Sequence, residues 1–140
     1  MARKKGGGKK PRFRRAGDEE VAVAVLRAMQ ERGPFKSQRG FREAVLEALR
    51  ARDPQATVSE TRVRRVALRS NTVHLEIAYK DGSESVGDEC PVCGAALRKV
   101  RNRTLTRKTV VMGYECPECV YRTGPERRRP ARYGFSPRRL

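Results

Sequence analysis

Two short segments, Cys90-Pro-Val-Cys93 and Cys116-Pro-Glu-Cys119, contain every cysteine in the chain. Each Cys-Pro-x-Cys turn curls its backbone so that two sulfurs face one centre, and two such turns supply the four thiolates of a tetrahedral zinc ion. An all-cysteine set leaves no position open for water. The spacing therefore predicts one structural zinc held by Cys90, Cys93, Cys116 and Cys119, with no catalytic metal. The single histidine, His74, lies sixteen residues before Cys90 and adjoins no other ligand-like side chain. A pair of disulfides is the competing reading of the same spacing. Residues 1–15 are basic, carry no apolar signal stretch, and no run in the chain is apolar enough to span a bilayer. A reducing cytoplasm is the expected location, where such pairs bind metal. A redox dithiol would need only one pair, set in a βαβ unit that the sequence does not show.

The 140 residues suffice for one ordinary domain or two small ones. A formal charge of +17 points to polyanionic partners and says nothing about fold. Its distribution is more informative. Residues 1–17 hold eight basic groups and no acid, and residues 18–89 hold twelve against thirteen. Residues 90–123 hold seven against two, and residues 124–140 six against one. Four thiolates around a divalent ion would lower the total to about +15. Positive charge thus sits in two tails and the cysteine module, beside a near-neutral segment.

Residues 1–17 read as a disordered basic arm, with three glycines between lysines. Asp18, Glu19 and Glu20 then open a helix whose apolar stripe is Ala22, Val25, Leu26 and Met29, stopped by Gly33-Pro34. Ser37 caps a second helix with Phe41, Ala44, Val45, Ala48 and Leu49 inward, ended by Asp53-Pro54. Ser59 caps a third, which buries Val63, Val66 and Ala67 and groups Arg62, Arg65 and Arg69 on an adjoining face. Residues 72–80 switch to period two, with Val73, Leu75, Ile77 and Tyr79 on one side. Residues 81–89 are a wing or a linker. Between the cysteine pairs, residues 97–104 and 108–114 predict a hairpin turning near Leu105-Thr106-Arg107. So short a module cannot support its own core, and the metal must supply much of its stability. Pro, Gly and Arg in residues 124–140 predict a basic tail without helix or central strand.

Cys-Pro-x-Cys-Gly, a hairpin, and Gly-Tyr-x-Cys-Pro-x-Cys resemble the zinc-ribbon family of archaeal and eukaryotic transcription and translation proteins, over residues 90–123. Val120 departs from it, standing where many ribbons have a second knuckle glycine. Residues 18–80 look like a winged helix, and a winged helix joined to a ribbon is similar in layout to the alpha subunit of archaeal transcription factor E. The expected architecture is α+β: a small winged-helix-like helical domain followed by a four-cysteine zinc ribbon, with separate cores and basic disordered arms at both ends.

This organisation implies a non-enzymatic zinc protein that binds nucleic acid, with RNA favoured over DNA, in an rRNA-binding ribosomal or ribosome-associated role. Arg and Lys would neutralise phosphates, and aromatic residues among arginines would stack on unpaired bases. The candidate contacts are Arg3, Lys4, Lys5, Lys9, Lys10, Arg12, Phe13, Arg14 and Arg15 in the first arm, and Arg98, Lys99, Arg101, Arg103 and Lys108 in the ribbon. The second tail adds Arg127, Arg128, Arg129, Arg132, Tyr133, Phe135, Arg138 and Arg139. The alternative is a DNA-binding winged-helix regulator or chromatin protein reading a major groove with Arg62, Arg65 and Arg69. The helical domain could also contact ribosomal or transcription-machinery proteins. No phosphate-binding loop, dinucleotide fingerprint or histidine-based nucleophile pair points to an enzyme, and neither arm has the amphipathic face of a membrane anchor.

Overall fold

A computed structural model describes residues 12–82 and 84–138. In chain order the elements are β1 (Arg14–Arg15), α1 (Asp18–Arg32), α2 (Gln38–Arg50), β2 (Ala56–Thr57), α3 (Glu60–Arg69), β3 (Val73–Lys80), β4 (Arg98–Arg103), β5 (Thr109–Glu115), β6 (Arg122–Thr123) and β7 (Arg129–Pro137). The chain is a mixed α and β protein. Strands β1 and β2 pair in parallel, β3 and β7 pair antiparallel, and β4, β5 and β6 form an antiparallel sheet in that order.

The helices form where the local chemistry dictates. Ser37 Oγ accepts from Gly40 N at 3.0 Å and Ser59 Oγ from Arg62 N at 3.1 Å, each satisfying an amide that the first helical turn leaves without a partner. α1 begins at Gly17, and the Glu20 carboxylate folds back to accept from the Gly17 amide at 3.2 Å. Its buried stripe is Val21, Ala24, Val25, Ala28 and Met29, whereas Leu26 is exposed and Ala22 half-buried. This corrects the expected stripe. Residues 21–26 are apolar without interruption, so periodicity defines no single face, and packing against α2 and α3 selects it. α2 buries Phe41, Ala44, Val45 and Leu49, as its strong amphipathic pattern requires.

Residues 12–17 are not a free arm. Arg14 donates to Glu20 at 2.6 Å and Asp53 at 2.7 Å, β1 pairs with β2, and Ala16 is buried. The Arg14 hydrogen bond, with the Gly17 amide second, lowers the Glu20 carboxyl from 4.5 to about 2. The clasp is therefore complete at neutral pH and is lost only as the pH falls toward that value.

The expectation for residues 124–140 is corrected most. Nine of them form β7, paired with β3 from Val73↔Pro137 to Lys80↔Arg129. The return strand is not in residues 81–89, whose described positions make only the isolated bridges Ser85↔Glu126 and Glu89↔Ala96. Prolines are tolerated because β3–β7 is a two-stranded sheet, so the missing amides fall on a free edge or at the strand's end. Phe135 is 1 % exposed. Its ring centroid lies 4.5 Å from that of Phe41, and its backbone exchanges hydrogen bonds with Phe35 at 2.7 and 2.8 Å.

Candidate metal centre and basic surface

Cys90 and Cys93 lie on the turn that precedes β4, and Cys116 and Cys119 on the turn from β5 to β6. All four sulfurs lie within 4.8 Å of one another. The short separations run between the turns, 3.6 Å from Cys90 to Cys119 and 3.4 Å from Cys93 to Cys116. A disulfide would require about 2.05 Å, and the four cysteines are free. A tetrahedron with metal–sulfur bonds of about 2.3 Å has sulfur–sulfur edges near 3.8 Å. The four cysteines are thus positioned to coordinate one metal ion, and a soft, all-sulfur donor set suits zinc or iron rather than a hard cation.

The backbone favours the thiolate form. Val92 N donates to Cys90 Sγ at 3.4 Å, Glu118 N to Cys116 Sγ at 3.3 Å and Tyr121 N to Cys119 Sγ at 3.5 Å. Gly94, at φ +83°, lets the first turn close with its amide on Cys90 O at 2.9 Å. Val120 is not in that left-handed region, so the second turn closes without a glycine, and Cys116 N still reaches Tyr121 O at 3.0 Å. Gly113 serves differently: a Cβ there would strike the Thr123 carbonyl, so β6 can lie this close to β5 only beside a glycine.

Left to themselves the four thiols do not all ionise. A hydrogen bond from Cys119 lowers Cys90 to about 5, whereas burial raises Cys93 to about 11. Cys119 is pushed up by that same bond to Cys90 and then by burial. A divalent cation supplies the charge that lets all four be thiolates, and protons compete with it. Bound metal should therefore be released progressively as the pH falls below neutral. A chelator-dye titration reads this directly, and a pH-independent affinity would contradict it.

Arg64 ties this centre to the helices. It is 5 % exposed, and it donates to Val92 O at 2.7 Å, to Pro91 O at 3.4 Å and to the Gln38 side-chain oxygen. Its guanidinium also lies 4.7 Å from the centre of the Tyr133 ring. Cys90, Val92, Cys116 and Tyr121 belong to the same buried cluster as Phe41, Val63 and Phe135. This corrects the expectation of separate cores. Sequence reasoning missed Arg64 because arginines are almost never fully buried unless paired; its only signal is its place beside the Val63–Ala67 stripe.

The predicted nucleic-acid contacts separate into groups. Arg3, Lys4, Lys5, Lys9, Lys10 and Arg139 lie outside the described residues. Arg12 and Arg15 are exposed, and Phe13 is exposed with Arg50 5.0 Å from its ring centre. Arg14 is occupied by the clasp, and Arg62 donates to Ala16 O and Asp18 at 2.5 Å each. Arg69 reaches Asp18 only at 3.6 Å, and exposed Arg65 rests against Gly94. Arg98 pairs with Glu115 at 2.7 Å and Arg127 with Glu84 at 3.4 Å. Arg128 stacks over Tyr79 at 4.1 Å, and Arg138 bonds the Asn71 side chain. Arg129 and Arg132 are exposed. Phe135, offered as a base-stacking residue, is in the core, and Tyr133 is half-buried under Arg64.

Lys99, Arg101, Arg103 and Lys108 remain, joined by Arg107 at the turn. All five are exposed on the β4–β5 hairpin, with no acidic partner among the described residues. Among the described residues no helix is long and apolar enough to cross a membrane. Compared with protein-family models, curated proteins and solved structures, the chain matches none.

Proposed function

We propose that this chain is a non-enzymatic zinc protein that binds structured RNA, with a ribosomal or ribosome-associated role. The observation that carries the reading is the asymmetry of the positive charge. Around the helices, where residues 18–89 hold more acids than bases, Arg14, Arg27, Arg32, Arg39 and Arg62 are engaged with neighbouring carboxylates, while the five cations of the hairpin face solvent with no acid beside them among the described residues, on a ribbon anchored at the cysteine centre. Charge held in a fixed array without internal partners is available to phosphates. Zinc fits the cysteine centre because a structural role needs no redox change and tetrahedral thiolate coordination is its common form.

The regulator reading, with α3 in a major groove, is less well supported. Arg62 is held inward by Asp18 and the Ala16 carbonyl, which leaves Arg65 and Arg69 as the exposed arginines of that group. The three-helix segment with β3 and β7 remains compatible with a winged helix whose second wing strand comes from far along the chain. Its surface is balanced in charge and suits a protein neighbour.

Sedimentation of native extract in moderate salt should carry the protein with ribosomal subunits. Elemental analysis of the purified chain should return one zinc. Replacing Lys99, Arg101, Arg103 and Lys108 by glutamine should flatten the salt dependence of RNA binding by about 0.7 in logarithmic slope for each phosphate no longer neutralised. A protein that sediments free of ribosomes, with an unaltered slope in the variant, would remove this reading.

A further inference from the structure

We infer that the tip of the β4–β5 hairpin is a wedge that enters RNA at an unpaired nucleotide, with Leu105 taking the place of a base and Arg107 fixing the neighbouring phosphate. The inference rests on the RNA-binding reading and specifies the kind of RNA.

Leu105 is wholly exposed at 105 %. It does not sit on a limp loop. Thr104 N donates to Lys108 O at 2.8 Å and Arg107 N to Thr104 O at 2.9 Å, while the Thr104 and Thr106 hydroxyls meet at 2.9 Å and Lys108 N reaches Thr104 Oγ1 at 3.2 Å. A closed turn therefore holds an aliphatic side chain out in water. Arg107 occupies the left-handed region at φ +63°, where this kind of hairpin turn favours glycine and where most L-residues are strained. Strain of this sort persists only where the surrounding structure over-determines it, as the closed turn does here, and it clusters at ligand-contacting sites. Behind the tip, Val110, Val111 and Met112 are also exposed, and β6 pairs only with Tyr114 and Glu115 at the hairpin's base. The outer hairpin thus has no core to bury its apolar atoms against.

An aliphatic tip flanked by Arg103, Arg107 and Lys108 matches a ligand with phosphates outside and an apolar slot inside. A protein partner would satisfy the aliphatic side chains but would need its own acids for the cations; a polyanion with stacked bases supplies both features. A ribbon lying flat in a duplex groove would leave Leu105 in water, whereas an inserted tip uses it. Forcing an aliphatic wedge between paired bases costs a few kcal/mol of stacking, and a bulged nucleotide presents a step already weakened. The tip therefore fits bulged or internally looped RNA.

The test compares three probes of equal length, an RNA duplex with a single-nucleotide bulge, a fully paired RNA duplex and a DNA duplex, against the zinc-loaded full chain. The wild-type protein should prefer the bulged RNA by roughly tenfold, a stacking-sized effect. Leu105→Ser should erase that preference while leaving the salt slope and the metal content unchanged, since the side chain touches nothing in the fold. Arg107→Gly should raise the melting temperature by relaxing the turn, yet weaken binding to the bulged RNA. If bulged and paired RNA bind equally, both ahead of the DNA duplex, and Leu105→Ser changes nothing, the wedge is wrong while the RNA reading stands; if all three bind equally, the preference for RNA falls with it. If the DNA duplex binds best with the same sensitivity to Leu105, the tip works on duplex DNA and the RNA assignment falls. If no probe binds, the nucleic-acid reading itself fails and the wedge with it.

Discussion

Replacing Cys116 by serine should loosen the helices as well as the metal turns. Loss of one thiolate opens the coordination set, and structural zinc sites contribute on the order of 10–16 kcal/mol in isolated fingers, against a total stability of about 5–15 kcal/mol for ordinary domains. The damage should spread because Cys90, Val92 and Tyr121 pack in the same cluster as the helical core. Arg64 takes its acceptors Val92 O and Pro91 O from the first turn, so disordering that turn leaves a buried guanidinium without them. Chelation of the wild-type protein should do the same. Hydrogen exchange in α3 and the thermal midpoint followed by far-ultraviolet circular dichroism would report it. An unchanged helical melting temperature after metal removal would mean that the two parts are independent after all.

Phe135→Ala should cost about 3–5 kcal/mol, the range for deleting a buried aromatic side chain, and removing residues 129–140 should abolish cooperative folding. The ring packs on Phe41, its backbone bridges to Phe35, and among the described residues β7 is the only strand paired with β3. Chemical denaturation reads both variants. Were the truncated chain to keep the wild-type midpoint and lose only charge, β7 would be an ornament on a domain complete without it.

These two effects mark where the sequence was and was not legible. The cysteine centre could be read because its information is local: ligand type and spacing within each turn suffice, and the hairpin between them follows. β3 could be read because Val73, Leu75, Ile77 and Tyr79 alternate cleanly, and all four are buried or half-buried. α2 and α3 announced themselves by cap residue and stripe. β7 could not be read, since Pro130, Gly134, Pro137 and its arginines all argue locally against a strand, and the partner that overrides them lies 49 to 64 residues earlier. Tyr133 and Phe135 looked like stacking residues among arginines for the same reason; the distant surface that buries them leaves no trace in their neighbours. Arg64 was hidden by its own charge, because the knuckle carbonyls, Gln38 and Tyr133 that explain its burial lie far from it in sequence. Arg107 and Leu105 stood in a segment read merely as a turn.

The pairing of β7 with β3 also fixes a sequence of events during synthesis. All four cysteines precede β7 in the chain, so the ligand set emerges ahead of the strand that covers Phe41. A chain ending before β7 would carry all four cysteines and an open apolar seam at once, a state that a protease or a chaperone could recognise. Closure of the helical core is thereby reported by a strand that contributes no metal ligand.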